Sequence, residues 1–327
     1  MTVGFRVSQA IHVVAALGVA DLIEDEPVSP THLAELLRCD AEGLARVLRA
    51  LAAVDVFVET DDGRFTHSPM SEALRSDHPR SVRPTAVLIG QEHLWETWGT
   101  LMHSVRTGEN AFVGRYGTDV WTYRNERPEQ NAIFDAAMSG NTAALADELG
   151  GLYDFSDAST VVDLGGGDGT LLLGVLASNP HLSGVLFDQP GVISRARAVL
   201  AHADAAEAAE RCTLVEGTIF GDHPEGGDVY VMRHILHDWT DGDCAAILER
   251  CRQVLTGSGV LLVLERVLEG PNEGAHAKFS DLNMLVMPGG RERSEAQFAD
   301  LFAAAGLRLQ RRLPALDGEW ILEVVRA

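Results

Sequence analysis

Thr160-Val161-Val162-Asp163-Leu164 runs directly into Gly165-Gly166-Gly167-Asp168-Gly169, and the apolar stretch LLLGVLA follows one residue later. A strand that turns on glycines into a helix constrains the fold more than any other feature. Open α/β sheets collect ligands at the carboxyl ends of their strands, and glycine lets backbone approach them closely. The pattern continues downstream: the apolar runs GVLFD, CTLVEG, DVYVMR and GVLLVLE alternate with helix-like stretches. That alternation predicts a doubly wound α/β domain with a largely parallel sheet. Near the end of the chain GLRLQRRLP and WILEVV flank a Gly-containing turn and are expected to pair as an antiparallel edge.

The upstream region reads differently. Val7, Ile11, Val14 and Leu17 recur at helical spacing, predicting a first helix that buries one stripe and is broken by Pro27 and Pro30. Thr31 is the expected N-cap of a short helix carrying Leu33, Leu36 and Leu37. A second helix carries Leu44, Val47, Leu48 and Leu51, and VFVETDDGRFTHS reads as a hairpin turning at Asp61-Asp62-Gly63. Helix, helix, hairpin is the order of a winged helix. Residues 85–150 read as further helices bearing Trp95, Trp98, Met102, Trp121, Phe134 and Met138. Because 327 residues exceed one ordinary domain, the expected division is 1–100, mainly helical, and 101–327. The first helix is apolar enough to need a partner surface, so a homodimer is expected.

Charge narrows the partners. The 48 acidic and 26 basic residues leave a net charge of −22, a field that repels phosphate backbones. A DNA-binding regulator built on the winged helix is therefore disfavoured, since its second helix offers only Arg46 and Arg49. Cys39, Cys212, Cys244 and Cys251 show no metal-ligand spacing, which fits a reduced, cytoplasmic protein. The run Ile11 to Ala20 contains His12, lacks a basic flank and is too short to span a bilayer. It reads as neither signal peptide nor membrane anchor.

A glycine-rich loop alone is a weak sign of any one cofactor. A NAD site wants a third glycine where this chain has Thr170, and the acid Asp163 two residues before Gly165 departs from that fingerprint. A cationic sulfonium ligand carrying an ammonium group favours acids around it, whereas a pyrophosphate does not. Asp188, 21 residues after Gly167, ends the next apolar run, where a carboxylate can accept both ribose hydroxyls. The plainer alternative for Asp188 is a turn residue before Gln189-Pro190.

Arg233-His234-Ile235-Leu236-His237-Asp238-Trp239 begins where the DVYVMR strand runs out. Histidine is the natural general base for a hydroxyl. Methyl transfer from a sulfonium asks a protein only to align three atoms and take one proton. A hydrogen-bonded structural histidine is the commoner role for such a residue. A metal reading of His234, His237 and Asp238 lacks a further ligand cluster, and no metal is expected. Glu265 ends the GVLLVLE run and Glu292 follows Pro288-Gly289-Gly290. Either can orient a base and stabilise its imidazolium, or be a strand-end surface acid and a helix-start acid respectively.

The motifs VVDLGGGDG, LFDQP, RHILHDW and PGGRERS stand here in order. In these the chain resembles the homodimeric S-adenosylmethionine-dependent small-molecule O-methyltransferases of plants and bacteria, over essentially its whole length. The likeness is greatest to the bacterial natural-product branch, whose members methylate aromatic polyketides, phenazines and related phenols. The resemblance implies a Rossmann-like methyltransferase domain behind a winged-helix dimerisation domain. It implies S-adenosylmethionine as cofactor, contacted by Asp163, Gly165, Gly167, Asp188 and Arg233. It matches His237 to the family's base and Glu265 and Glu292 to its flanking carboxylates. The acceptor positions it implies are Phe134, Met138, Asn141, Asp238, Asn283 and Met284, with Trp98 and Met102 as further candidates. Arg124 falls near an acceptor-facing position, or is an exposed interhelical arginine. One departure is that Thr218-Ile219-Phe220 stands where relatives place an acid beside the adenine, so recognition leans on Ile219 and Phe220. The same fold and cofactor also serve hydroxylation or ring closure, while a hydride-transferring dehydrogenase is opposed by Thr170 and the acid-first loop.

Overall fold

The computed structural model describes residues 2–202 and 205–327. The chain divides into two units, Met1–Gly99 with Arg124–Asn141, and Thr100–Tyr123 with Thr142–Ala327.

In the first unit α1 (Gly4–Leu17) buries Val14 and Ala15, while Val7 and Ile11 are half-buried and Leu17 is exposed. Gly18, at φ 72°, ends it rather than the downstream prolines; a left-handed residue lets the last carbonyls find donors at no steric cost. Pro30 instead starts α2 (Pro30–Leu37), and the cap is Ser29, which accepts from the His32 amide, not Thr31. Proline at a first helical position has no amide to leave unsatisfied, which puts the cap two places before Thr31. The α3 helix (Ala41–Ala52) is capped by Asp40, and β1 (Phe57–Glu59) pairs antiparallel with β2 (Phe65–His67). Helix, helix, hairpin is the order found. Short helices α4 (Pro69–Glu72), α5 (Arg83–Ile89) and α6 (Glu92–Trp98) follow. The core here joins Val14, Ile23, Leu33, Leu48, Leu51, Phe57 and Phe65.

The second unit opens with α7 (Leu101–Thr107) and α8 (Ala111–Tyr116); α9 (Val120–Asn125) and α10 (Pro128–Leu152) contribute residues to both units. Then come β3 (Thr160–Leu164), α11 (Thr170–Ser178), β4 (Ser183–Asp188), α12 (Pro190–Ala201), α13 (Ala206–Glu210), β5 (Cys212–Glu216) and β6 (Val229–Arg233). The rest is α14 (Asp241–Val254), β7 (Val260–Arg266), α15 (Ala275–Val286), α16 (Glu295–Ala304), β8 (Leu307–Pro314) and β9 (Glu319–Arg326). Seven strands form one sheet in the order β5-β4-β3-β6-β7-β9-β8. The first five are parallel, while β9 runs antiparallel to both β7 and β8.

Helices cover both faces of this sheet, so its central strands have no polar side to spare. Val161, Leu262 and Ile321 belong to one buried cluster with Leu172 and Leu176 of α11; Val162, Leu261 and Leu322 belong to another with Leu248 of α14 and Phe298 of α16. Each such buried aliphatic side chain contributes roughly 1.5–3 kcal/mol relative to exposure. The strand order reverses at β3, with β4 on one side and β6 on the other. Their carboxyl ends therefore border a crevice at the switch point, where ligands of such sheets bind. No helix among the described residues is long and apolar enough to cross a membrane.

Candidate active site

The glycine loop leaves β3 at that switch point. Gly165, Gly167 and Gly169 take φ values of 73°, 63° and 86°, a region that side-chain-bearing residues visit rarely. A Cβ built on Gly165 would lie 2.5 Å from the Ile235 side chain, whereas one on Gly167 would meet nothing within 4 Å. The loop is thus packed against the histidine segment at one glycine and open in front of the next. Asp188 closes the far side: one carboxylate oxygen accepts from the Gly167 amide at 2.9 Å and the other from Gln189 at 2.6 Å. A carboxylate offers about four acceptor positions, so two ribose hydroxyls can still be received there. Asp163 is 1% exposed, and one of its oxygens has no hydrogen-bond partner. Burial, with Asp188 and Asp168 adding to it and Arg233 opposing, pushes its carboxyl up to about 7.

Arg233 is held before any ligand arrives. Its Nε and Nη2 donate to the two oxygens of Glu319 at 3.0 and 2.7 Å, and Nη1 donates to Thr142 Oγ1 at 2.7 Å. Thr218 is exposed and takes part in a turn with Gly221; Ile219 is half-buried against the sheet core, and Phe220 meets Trp239 edge-on at 4.8 Å.

His237 lies in a 3-10 turn, Leu236–Asp238, and is 6% exposed. Its Nδ1 is 3.1 Å from Glu292 Oε1 and 3.4 Å from Glu265 Oε2, while Nε2 is 3.6 Å from Asp238 Oδ1. Glu265 is fully buried, and its Oε1 accepts from the Leu236 and His237 amides at 2.9 and 3.3 Å. Glu292, 1% exposed, also accepts from Ser280 Oγ at 2.6 Å. Neither acid is a surface residue, so the strand-end and helix-start alternatives fall. Burial alone would lower the His237 pKa, but Glu265, Asp238 and Glu292 outweigh it and push it up to about 10. Burial raises Glu265 to about 7 against the pull of His237, while the hydrogen bond from His237 keeps Glu292 below its usual range despite burial. Glu292 is thus the acid that carries the negative charge opposite the imidazole.

The imidazole and two acids, with ligand atoms within 4.8 Å of one another, are also donor types that metals accept. This cluster forms from His237, Glu265 and Glu292, not from the His234, His237 and Asp238 set weighed on sequence. The 3.1 Å contact between Nδ1 and Glu292 has the length of an ordinary hydrogen bond.

A sequence profile of the O-methyltransferase domain matches residues 98–308, and one of the O-methyltransferase dimerisation domain matches residues 1–77. The chain belongs to this methyltransferase family. It is 41% identical to phenazine O-methyltransferase PhzM of Lysobacter antibioticus, over 99% of this chain and 94% of that one. It is 38% identical to the mitomycin biosynthesis 6-O-methyltransferase of Streptomyces lavendulae, over 98% and 91%. The 8-amino-8-demethylriboflavin N,N-dimethyltransferase of Streptomyces davaonensis is 35% identical over 98% and 92%. Among solved structures, LaPhzM superposes with a TM-score of 0.94 at 40% identity, covering 100% of this chain and 97% of that one. The O-methyltransferase NcsB1 from neocarzinostatin biosynthesis, in complex with S-adenosylmethionine and 2-hydroxy-5-methyl naphthoic acid, superposes at 0.82 with 32% identity, covering 98% and 96%. The methyltransferase described here takes S-adenosylmethionine as its cofactor. Its residues fit that ligand: an open glycine turn, a ribose-ready carboxylate and acids that suit a cation.

The acceptor set divides between the units. Asp238, Asn283 and Met284 belong with His237 in the second unit; Phe134 and Met138 belong to the first, as does Trp98. Asn141 lies outside the described side chains. Met284 is 7% exposed, whereas Met102 is 59% exposed. Arg124 is not an exposed arginine: it is 6% exposed, with its guanidinium 3.7 Å over the Phe134 ring.

Sequence reasoning missed Arg293. Fully buried beside Glu292, it donates to the carbonyls of Leu236 and Trp239 at 2.8 and 2.9 Å and to Asp241 at 2.8 Å. Glu292 takes the ring of His237 while Arg293 takes the backbone on either side of it. A signal existed, since PGGRERS puts an arginine immediately after the acid, but its reach is a tertiary fact. Gly290 completes the clamp: a Cβ there would lie 1.9 Å from the His237 carbonyl, whose oxygen accepts from the Arg291 amide at 2.8 Å.

Proposed function

We propose that this methyltransferase methylates a hydroxyl of a small aromatic acceptor and that His237 removes the hydroxyl proton. The observation that carries the reading is the asymmetry of the His237 ring: both buried glutamates lie at Nδ1, leaving Nε2 beside Asp238 as the atom to receive a proton. When bound, S-adenosylmethionine supplies a methyl group on a cationic sulfonium. Asp188 would hold the ribose, Arg233 the cofactor's carboxylate, the Gly165 and Gly167 backbone the amino-acid portion, and Thr218, Ile219 and Phe220 the adenine side. Asp163, buried beneath the loop with its carboxyl raised to about 7, is the acid that a nearby cation would draw toward its charged form. Asp238, Asn283 and Met284, of the second unit with His237, are assigned to the acceptor. Glu292 fixes the tautomer with Nδ1 protonated, and with Glu265 stabilises the imidazolium once Nε2 takes its proton. The phenazine, mitomycin and naphthoate relatives support an aromatic acceptor in natural-product biosynthesis, and the profile over residues 1–77 supports a homodimer through the N-terminal region.

The test is turnover of His237→Ala with cofactor affinity measured beside it. A loss of about 10²–10⁴-fold on an un-ionised phenol, with S-adenosylhomocysteine bound as in the wild type, is expected for a general base. Near-full rate would remove His237 from that role. A nitrogen acceptor is the second reading, favoured by the N,N-dimethyltransferase relative; mass and NMR analysis of the product decides between oxygen and nitrogen.

A further inference from the structure

Among the described residues at the head of the crevice, His234 is a non-glycine residue with a left-handed backbone. It leaves β6 with φ 53°, in the left-handed region that histidine tolerates better than branched or bulky residues do. Its amide still donates to the Leu264 carbonyl at 3.1 Å, so the segment is anchored to β7 as it turns. The conformation places its imidazole flat against that of His237, with ring centroids 4.9 Å apart and planes 17° from parallel.

The ring is pinned from the other side. His234 Nε2 donates to Glu319 Oε1 at 3.1 Å, and Arg266 Nη1 lies 3.2 Å from the same nitrogen, which with its proton turned to Glu319 has no lone pair left to accept from it. Glu319, 3% exposed at the start of β9, is the same carboxylate that grips Arg233 through both oxygens. The groups facing His234 are therefore Glu319 from β9, Arg266 from β7, Arg233 from β6 and His237 from the turn. Burial outweighs Glu319 and lowers the His234 pKa to about 3. The ring is therefore neutral throughout the physiological range, and a neutral face can adjoin an imidazolium without repelling it.

We propose that His234 is a positioning residue for methyl transfer: held by Glu319, its imidazole is the fixed face that sets the ring plane of His237, and Glu319 ties that plane to Arg233. This rests on His237 as the base. Strained backbone persists where the surroundings over-determine it, and function is one such reason. Orientation is worth preserving because small misplacements of a reacting group are costly.

The experiment uses the full-length enzyme with its acceptor, and compares His234→Asn with His234→Phe. Asparagine tolerates a left-handed backbone but removes the ring face; phenylalanine keeps a face but gives up the hydrogen bond to Glu319. In His234→Asn, kcat should fall about tenfold or more with acceptor KM changing less than about threefold. The His237 ring resonances, followed in histidine-labelled protein by NMR, should shift and titrate at a different pH, and His234→Phe should recover part of both effects. Glu319→Gln should move the same His237 resonances and also weaken S-adenosylhomocysteine binding in calorimetry, because it loosens Arg233 as well. Wild-type kcat and unmoved His237 resonances in His234→Asn would overturn the proposal. If instead His237→Ala keeps its rate while His234→Asn still moves the His237 resonances, the base assignment has failed and the stack has not.

Discussion

At the scale of single residues, three carboxylates around one buried imidazole set the chemistry. His237 is raised from 6.5 to about 10, so only its neutral fraction can accept a proton below that pH. With a neutral phenol, kcat/KM should climb toward alkaline pH along the limb governed by this base. Glu265→Gln and Glu292→Gln remove charge that stabilises the imidazolium, so each should move that limb to lower pH while reducing its plateau; a pH–rate series measures both. A limb unmoved by either change would mean the profile reports another group. Asp163 yields a stability prediction. Its carboxyl is raised from 3.8 to about 7 in the folded chain, so between those values the unfolded chain sheds a proton that the folded one keeps. Folding stability is then lost as pH rises through that window. Asp163→Asn should show a flatter urea midpoint between pH 4 and 7.

At the scale of elements, the segment 236–241 is shaped by the one at 290–293. Gly290→Ala forces a backbone shift at the His237 carbonyl, 1.9 Å from the new Cβ. A fall in kcat on the order of 10²-fold is expected from the displaced base, with cofactor affinity preserved in calorimetry. Arg293→Met takes the guanidinium donors away from the Leu236 and Trp239 carbonyls and should cost about 1–3 kcal/mol of stability by urea unfolding, the usual penalty for a buried polar group that loses a partner. Arg293→Lys should recover only part, since one ammonium cannot span the contacts a planar guanidinium makes. The element boundaries that sequence misjudged lie in α1 and α2, where Gly18 rather than a proline stops the helix and Ser29 rather than Thr31 caps the next. In both cases a backbone conformation decided, and composition alone does not state φ.

At the scale of the whole molecule, cofactor binding should stabilise the folded chain by mass action, about 2.7 kcal/mol at a hundredfold excess over Kd. Thermal unfolding with and without S-adenosylhomocysteine measures this. Asp188→Ala should abolish most of the shift, because Asp188 both braces the Gly167 amide and is assigned to the ribose. Sedimentation at micromolar concentration should show a dimer, as a dimerisation profile over residues 1–77 leads one to expect.

Much of this protein was legible without coordinates. Continuous apolar runs name the parallel strands, and period-3.6 apolar patterns and turn signals name the helices and the helix-helix-hairpin order, because burial of one face or both is written into residue type. The glycine turn and the residues RHILHDW mark the head of the crevice for the same reason: few residue types can stand there. What the tertiary structure decided is which acids meet His237. Glu265 and Glu292 come from segments far apart in the chain, and no spacing rule converts sequence distance into 3.1 and 3.4 Å contacts. The grip of Arg293 and the stacking of His234 on His237 belong to the same class, since each depends on where packed strands bring their ends and not on any local preference.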